Sequence, residues 1–389
     1  MVILLPKKTA ILIVLSALVL CACQQSPPAV GQAPRLSSGA TLAPAEGKRG
    51  VAATSTDASA DGETSAPASP RKLALYAVGD IMLDRAVGKR IKSAGCAAVI
   101  EKLAPELARA DIVFGNLESP LSSVGAHDAP NCCFRADPAA AKVLTLGHFG
   151  VVSFANNHCL DPGREGYLRT LKRLEEIGVR YCGASAERSQ ASWLRIMEAQ
   201  GLKVGFLAYT DLDFTHACYS KVPRDLALHR QAIGQAKNKC DLLIVSYHWG
   251  QEYAERPSER QKTVARAAVG GGADVVLGHH PHVLQGIGLE QGSPVLYSMG
   301  NFIFDQRPGV RMESALFKLF YEEGQGWLVK VVPVWLPPGR YGPEYPGPQK
   351  RDAILERMGK YSQALGTETR TESGVLLVNC PPPQGAGTD

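Results

Sequence analysis

Six short apolar runs, LALYAV, DIVFGN, GVVSFAN, KVGFLAY, DLLIVSY and ADVVLG, recur from residue 73 onward. Each has strand length and is rich in Val, Ile, Leu and Phe, the pattern of strands buried on both faces. Helical patterns separate them over 99–110, 138–146, 164–177 and 256–269. Strand and helix in repeated order predict a layered α/β domain. Beyond these, SPVLYSMGNFIF, ESALFKLFYEE and WLVKVVPVWL follow one another without a helix between them, so the second half is expected to form antiparallel strands. No linker-like break interrupts this part. One domain over 73–340 is expected, followed by an extension, 341–389, that is partly helical and then disordered.

The N-terminal part cannot belong to that domain. Lys7 and Lys8 precede an apolar run, Ile11 to Leu20, that is too short to span a bilayer as a helix, so residues 1–22 read as an export signal. Leu20-Cys21-Ala22-Cys23 resembles the bacterial lipobox, with Cys23 the residue expected to be lipidated. Several acyl chains on one Cys anchor a protein stably. Gln24, not Asp, follows, and by resemblance to Gram-negative sorting this implies the outer membrane, facing the periplasm or the surface. Of the 49 residues from Gln24 to Lys72, 33 are Ala, Gly, Pro, Ser or Thr and none is aromatic. Such a stretch buries too little apolar surface to fold, so residues 23–72 are expected to be a lipidated Cys and a tether spanning on the order of 40 Å.

Charge excludes one class of partner. The 42 Lys and Arg stand against 37 Asp and Glu, an excess too small to argue for nucleic acid. Eight cysteines follow Cys23. No spacing among them matches a zinc motif, and an even count in an exported chain permits disulfides, at least one of which is expected.

Ligand-type side chains fall where the strands end, the place at which open α/β sheets build their sites. Asp80 follows LALYAV; Asn116 and Glu118 follow DIVF; Asn156, Asn157 and His158, with Asp161 beyond, follow VVSFA. His248 and Trp249 follow LLIVSY, His279-His280-Pro281-His282 follow DVVLG, and Asn301 and Asp305 follow VLYS. A single strand-end Asp is commonly a helix cap and a single His commonly a core residue. Five of nine histidines at three such ends are a different matter. Imidazoles mixed with carboxylate and amide oxygens suit Zn, Mn or Fe.

In the order Asp, Asn/Glu, Asn-His, His, His-x-His, these residues resemble the calcineurin-like metallophosphoesterases, which implies a two-sheet β-sandwich flanked by helices. GDIMLDR, GNLESPL, SFANNHCLDPG, SYHWGQEY, GHHPHVLQG and YSMGNFIFD further resemble the recurring blocks of the bacterial CapA-type poly-γ-glutamate capsule biosynthesis family, from about Leu73 to about Trp335. The resemblance implies that Asp80, Glu118, Asn157, His248, His280 and His282 are metal ligands. The resemblance matches His158 to a residue that acts on the leaving group or orients the substrate and does not bind metal, with Asp80 beside it in the catalytic set. The phosphoesterase Asp-x-His reads Asp80-Ile81-Met82 here. A thioether is a poor ligand for a hard ion, so one metal is expected to be weak, exchangeable or absent.

Arg85, Arg135, Asn116 and Asn301 are candidate substrate contacts, the arginines because a guanidinium binds carboxylates through paired hydrogen bonds. Trp249 and Tyr253 fit a cleft wall and a core equally well. Three functions remain open: a metal-dependent hydrolase or transferase acting on an acidic envelope polymer, a non-catalytic polymer-binding or export component associated with capsule synthase subunits, and a periplasmic metallophosphoesterase.

Overall fold

The computed structural model describes residues 69–125, 133–187, 194–212 and 220–382. The expected signal, Cys23 and all of the tether up to residue 68 lie outside these residues, as do Cys132 and Cys218. In chain order the strands are β1 (Lys72–Ile81), β2 (Ile112–Leu117), β3 (Phe149–Ser153), β4 (Arg180–Cys182), β5 (Arg195–Ala199), β6 (Leu202–Thr210), β7 (Leu242–His248) and β8 (Val275–His279). They continue with β9 (Ile287–Glu290), β10 (Ser293–Leu296), β11 (Asn301–Ile303), β12 (Glu313–Glu322), β13 (Gly326–Trp335), β14 (Arg370–Glu372) and β15 (Val375–Cys380). The helices are α1 (Arg85–Ala94), α2 (Ala104–Leu107), α3 (Lys142–Leu146), α4 (Gly163–Glu176), α5 (Leu226–Lys237), α6 (Glu259–Gly270) and α7 (Pro348–Gln363).

Two sheets form the centre. One runs β14-β15-β13-β12-β1-β2-β3-β4, with β11 paired to the end of β1, and the other runs β5-β6-β7-β8-β10-β9. Strands β1 to β4 are parallel to their neighbours, and β12, β13 and β15 continue the sheet antiparallel. The expected antiparallel second half thus holds for β12 and β13. It holds only in part for SPVLYSMGNFIF, which breaks into β10, antiparallel to β9 but parallel to β8, and β11, parallel to β1.

Side-chain alternation explains the layering. Leu73, Leu75 and Ala77 of β1 pack with Phe206, Ile244 and Leu277 of the other sheet, while Tyr76 and Val78 turn the other way onto Val87, Leu107, Leu171 and Leu174 of the helices. On the far side, Leu243 and Val245 meet Ile233 of α5 and Val264, Ala265 and Ala268 of α6. The result is helix, sheet, sheet, helix. Apolar side chains at i, i+4 and i+7 on α4, namely Tyr167, Leu171 and Leu174, give that helix its buried stripe. Ser258 and Gln261 close a capping box at the start of α6.

The C-terminal extension differs from expectation. Between α7 and residue 382 the chain is ordered: β15 pairs with β13, and Leu376, Val378 and Cys380 join Ile354, Leu355 and Met358 of α7 in the core between the sheets. The pattern 99–110 is not one helix either, because Pro105 leaves a backbone acceptor without its N–H donor, and only a 3-10 turn at Cys96–Val99 and the single turn of α2 form. Cys96, Cys182, Cys240 and Cys380 carry free thiols, so none of these four enters the expected disulfide.

At one point the strands meet too closely for any side chain. A Cβ on Gly79 would lie 1.9 Å from the Gly300 carbonyl oxygen, to which the Asp80 N–H donates at 2.9 Å. Glycine at 79 lets β1 and β11 close together directly beneath Asp80.

Candidate metal centre

The strand ends converge on Asp80, which is fully buried. Asn116 donates from Nδ2 to Asp80 Oδ1 at 2.9 Å, and the His280 N–H approaches Oδ2 at 3.3 Å. His279 Nδ1 lies 3.2 Å from Oδ1, and His282 Nδ1 lies 3.3 Å from Oδ2. Burial alone would favour the neutral acid. The hydrogen bonds and charges of His279 and His282 outweigh it and hold Asp80 well below the usual carboxylate range.

Glu118 is the opposite case. It is also fully buried, yet both of its carboxylate oxygens are without a hydrogen-bond partner. Burial pushes its carboxyl up to about 8. Asp80, Glu118 and His282 each bring one donor atom within 4.8 Å of the others. Burial works against the charge on His282, but Glu118 and Asp80 raise its pKa to about 9. A second group lies beside this one: His248 Nε2 is 2.7 Å from Asn157 Oδ1, and the His248 and His280 rings are 4.8 Å apart. Burial lowers His280 to about 4 and His248 well below its ordinary value, so both imidazoles are held neutral, the form that binds metal.

His158 sits at the edge of both groups. Its Nδ1 is 2.8 Å from Asp161 Oδ2, its Nε2 is 3.8 Å from Glu118 Oε1, and its ring stacks on Phe134 with centroids 4.0 Å apart.

Residues 74–306 match the bacterial capsule synthesis protein family PGA_cap. The capsule biosynthesis protein CapA of Bacillus anthracis is 32% identical over 276 residues, covering 68% of this chain and 67% of that protein. The PGA biosynthesis protein CapA of Bacillus subtilis is 30% identical over 288 residues, 72% of this chain and 74% of that one. The chain belongs to the PGA_cap family. Among solved structures, a phosphatase from Mycoplasma pneumoniae aligns over 65% of this chain and 88% of its own with a TM-score of 0.42 at 13% identity. A putative 5'-nucleotidase from Staphylococcus aureus aligns over 64% and 51% with a TM-score of 0.36 at 12% identity.

For this PGA_cap chain the structure brings together every residue that the sequence points to as a ligand: Asp80, Glu118, Asn157, His248, His280 and His282. Asn116 and Asn301, expected to touch substrate, instead have protein partners. Both are fully buried; Asn116 holds Asp80, and Asn301 Oδ1 lies 2.9 Å from His282 Nδ1. They position ligand residues from beneath. Met82 is buried in the core on the helix side of β1, its sulfur accepting the Asp84 N–H, and so offers no donor to the centre. Trp249 is core, donating from Nε1 to the Tyr297 carbonyl, whereas Tyr253 is exposed and its ring lies 6.2 Å from that of His282.

Two residues at the centre had escaped the sequence pattern. His279 was masked by its neighbours in the His-His-Pro-His run, where the His-x-His spacing picks out 280 and 282. Glu252, whose carboxylate comes within 4.8 Å of donor atoms of His280 and His282, carries no signal beyond lying four residues after His248.

Arg85 and Arg135 occupy a separate place. They line a cleft of about 710 Å³ with Lys89, Lys92, Ser122 and Asp137. Arg85 is paired with Asp305 and stands over the ring of Phe134 at 4.9 Å, so the cleft and His158 share one aromatic side chain.

Proposed function

We propose that the chain is a metal-dependent hydrolase or transferase of capsule biosynthesis, acting on an acidic envelope polymer of the poly-γ-glutamate class. The observation that carries the reading is Glu118. Neither oxygen of this fully buried carboxyl is hydrogen-bonded, although His282 Nε2 lies 3.5 Å from Oε1, and its ionised form is costly there unless a cation neutralises it. The surrounding donors, His282 and Asp80 on one side and Asn157, His248 and His280 on the other, are those that suit Zn, Mn or Fe. When bound, divalent cations would supply Lewis-acid polarisation and a nucleophile at neutral pH, chemistry that serves amides as well as phosphate esters.

The chain's own residues supply the rest. Asp161 fixes the His158 ring through Nδ1, leaving Nε2 to deliver a proton to the leaving atom. Arg135, Lys89 and Lys92 offer an anionic chain a cationic cleft beside that proton donor. The names of the relatives, capsule and PGA biosynthesis proteins, agree with such a polymer. Lipidation at Cys23 would hold this activity at the outer membrane, at the end of the 23–72 tether.

A second reading, a non-catalytic polymer-binding component of a synthase complex, is favoured by one observation: Met82 gives the Asp80 side no further donor. One experiment separates the two. The purified chain is analysed for bound metal and incubated with poly-γ-glutamate and with generic phosphodiesters, following product size. Metal-dependent shortening or transfer of the polymer, lost in His248→Ala, supports the enzyme. Polymer binding by a metal-free, correctly folded chain without turnover supports the second reading.

A further inference from the structure

A carboxylate outside the ligand set that the strand ends supply, Glu252, meets two members of that set at the mouth of the centre. Glu252, His280 and His282 each place one donor atom within 4.8 Å of the other two. His280 and His282 are buried, 7% and 4% exposed, whereas Glu252 is exposed. The Nδ1 of His280 is buried with no hydrogen-bond partner, a nitrogen available to something not made of protein. The Tyr253 N–H donates to the Pro281 carbonyl at 2.7 Å. That bond ties the residue after Glu252 to the residue between the two histidines, so the carboxylate is held over them by the backbone.

We propose that Glu252 is a ligand of a divalent transition-metal site formed with His280 and His282. His282 also offers a donor to the Asp80–Glu118 group and His280 lies beside His248, so Glu252 joins the two groups already described without adding a third ion, each imidazole binding one. Charge favours the assignment. Two dications against Asp80 and Glu118 alone would leave a buried centre with excess positive charge, and a third carboxylate at the open side offsets it. Its exposure makes Glu252 the donor that solvent reaches first and the ligand whose metal exchanges most readily. Imidazole pairs with one carboxylate suit Zn²⁺, Mn²⁺ or Fe²⁺.

The inference rests on the metal-dependent reading of the centre, and the test distinguishes the failure of each. The purified full chain is stripped with a chelator and titrated with Mn²⁺ by calorimetry and electron paramagnetic resonance, and with Zn²⁺ by calorimetry. Two equivalents are expected for the wild type. Glu252→Gln is expected to keep the tighter equivalent and to weaken the other by roughly 10-fold or more, with the metal-free melting temperature unchanged because the side chain is exposed. Glu252→His, which restores a donor, is expected to recover Zn²⁺. Wild type and Glu252→Gln binding the same number of ions with the same affinity would overturn the assignment alone. A fall in metal-free stability in Glu252→Gln with no recovery in Glu252→His would also overturn it, since the role is then structural. A wild type that binds no metal would overturn both this assignment and the metal-dependent reading.

Discussion

His158 and Asp161 meet through Nδ1 and Oδ2 at 2.8 Å, which turns the other ring nitrogen of His158 toward Glu118, 3.8 Å away. The Asp161 carboxylate accepts from Nδ1–H and orients the ring, so that Nε2, which carries a proton only in the imidazolium form, faces the ligand cluster. On the proposed enzyme reading, His158 acts on a reacting atom without being needed to hold metal.

His158→Asn is therefore expected to keep metal content and melting temperature while lowering turnover by roughly 100-fold or more. The loss belongs in kcat and not in KM, because protonation of a leaving group stabilises the transition state. Asp161→Asn, a change at a positioning residue, is expected to lower kcat by less and to shift the pH profile. Wild-type turnover in His158→Asn would remove the proton-donor role.

Glu118→Gln makes two predictions of different kinds. In the metal-free protein Glu118 is buried without a hydrogen bond and burial pushes it up to about 8, so at pH 7 it is neutral and an amide of the same shape is expected to leave the stability of that form within about 1 kcal/mol of wild type. The same change is expected to abolish the stabilisation that added metal gives the wild type. Thermal melts of both proteins with and without Zn²⁺ check the pair. An unchanged metal-induced shift in Glu118→Gln would remove Glu118 from the ligand set.

His229, behind β7, adds to the loss of stability in acid that the lowered His248, His280 and Asp80 also bring. Its Nε2 is 2.6 Å from the Tyr247 hydroxyl, it is fully buried, and burial lowers it to about 4. A folded pKa below the unfolded value of about 6.5 means stability that is full above about pH 6.5 and lost as pH falls toward 4, amounting to at most about 3 kcal/mol. His229→Gln is expected to flatten this limb. Urea midpoints at pH 7.5 and pH 4.5 measure it; an equally steep acid loss in the variant would assign the limb to other groups.

The basic cleft predicts separable effects of its arginines. Arg135→Ala and Lys89→Ala are each expected to weaken binding of an acidic polymer about threefold to tenfold, with a shallower salt dependence and unaltered stability. Arg85→Ala is expected to cost about 2 kcal/mol of stability, since it breaks the pair with Asp305 and uncovers Phe134. Polymer binding by Arg135→Ala with wild-type affinity and salt slope would exclude the cleft as the polymer's path.

Cys23→Ala is expected to move the protein from the detergent phase to the aqueous phase in a Triton X-114 partition, with wild type beginning at residue 23. A wild type found in the aqueous phase would discard the lipid anchor.

The strands that the sequence reveals, β1, β2, β3, β6, β7 and β8, are those buried on both faces, where an unbroken apolar run has no other use. Helices α4 and α6 are equally legible from their stripes. Helix α1 was missed because RAVGKRIKSA buries only Val87 fully and spends its other positions on charge, and α5 because LALHRQAIGQAK buries a histidine and two small or branched residues, His229, Ile233 and Ala236. Strands β14 and β15 were missed because every β14 residue is exposed and β15 alternates its burial, a weak pattern beside a Pro- and Gly-rich end. Within the centre, the ligands lie at strand ends and could be read in order. The roles of Asn116 and Asn301 could not, since only their burial beneath Asp80 and His282 shows that they face protein and not substrate.

Strand β1 is synthesised first, yet its neighbours include β11 and β12, and Asp80 meets His280 across 200 positions of chain. At roughly 5–20 residues per second, on the order of 10–40 s separates the emergence of the two residues. Until the end of that interval the centre lacks His280 and His282, and with them the imidazoles that complete both groups of donors. On the metal-dependent reading, the ion is thus chosen in whichever compartment holds the chain when the last strands close, and the metal supply at that place, more than at the ribosome, decides what the centre contains.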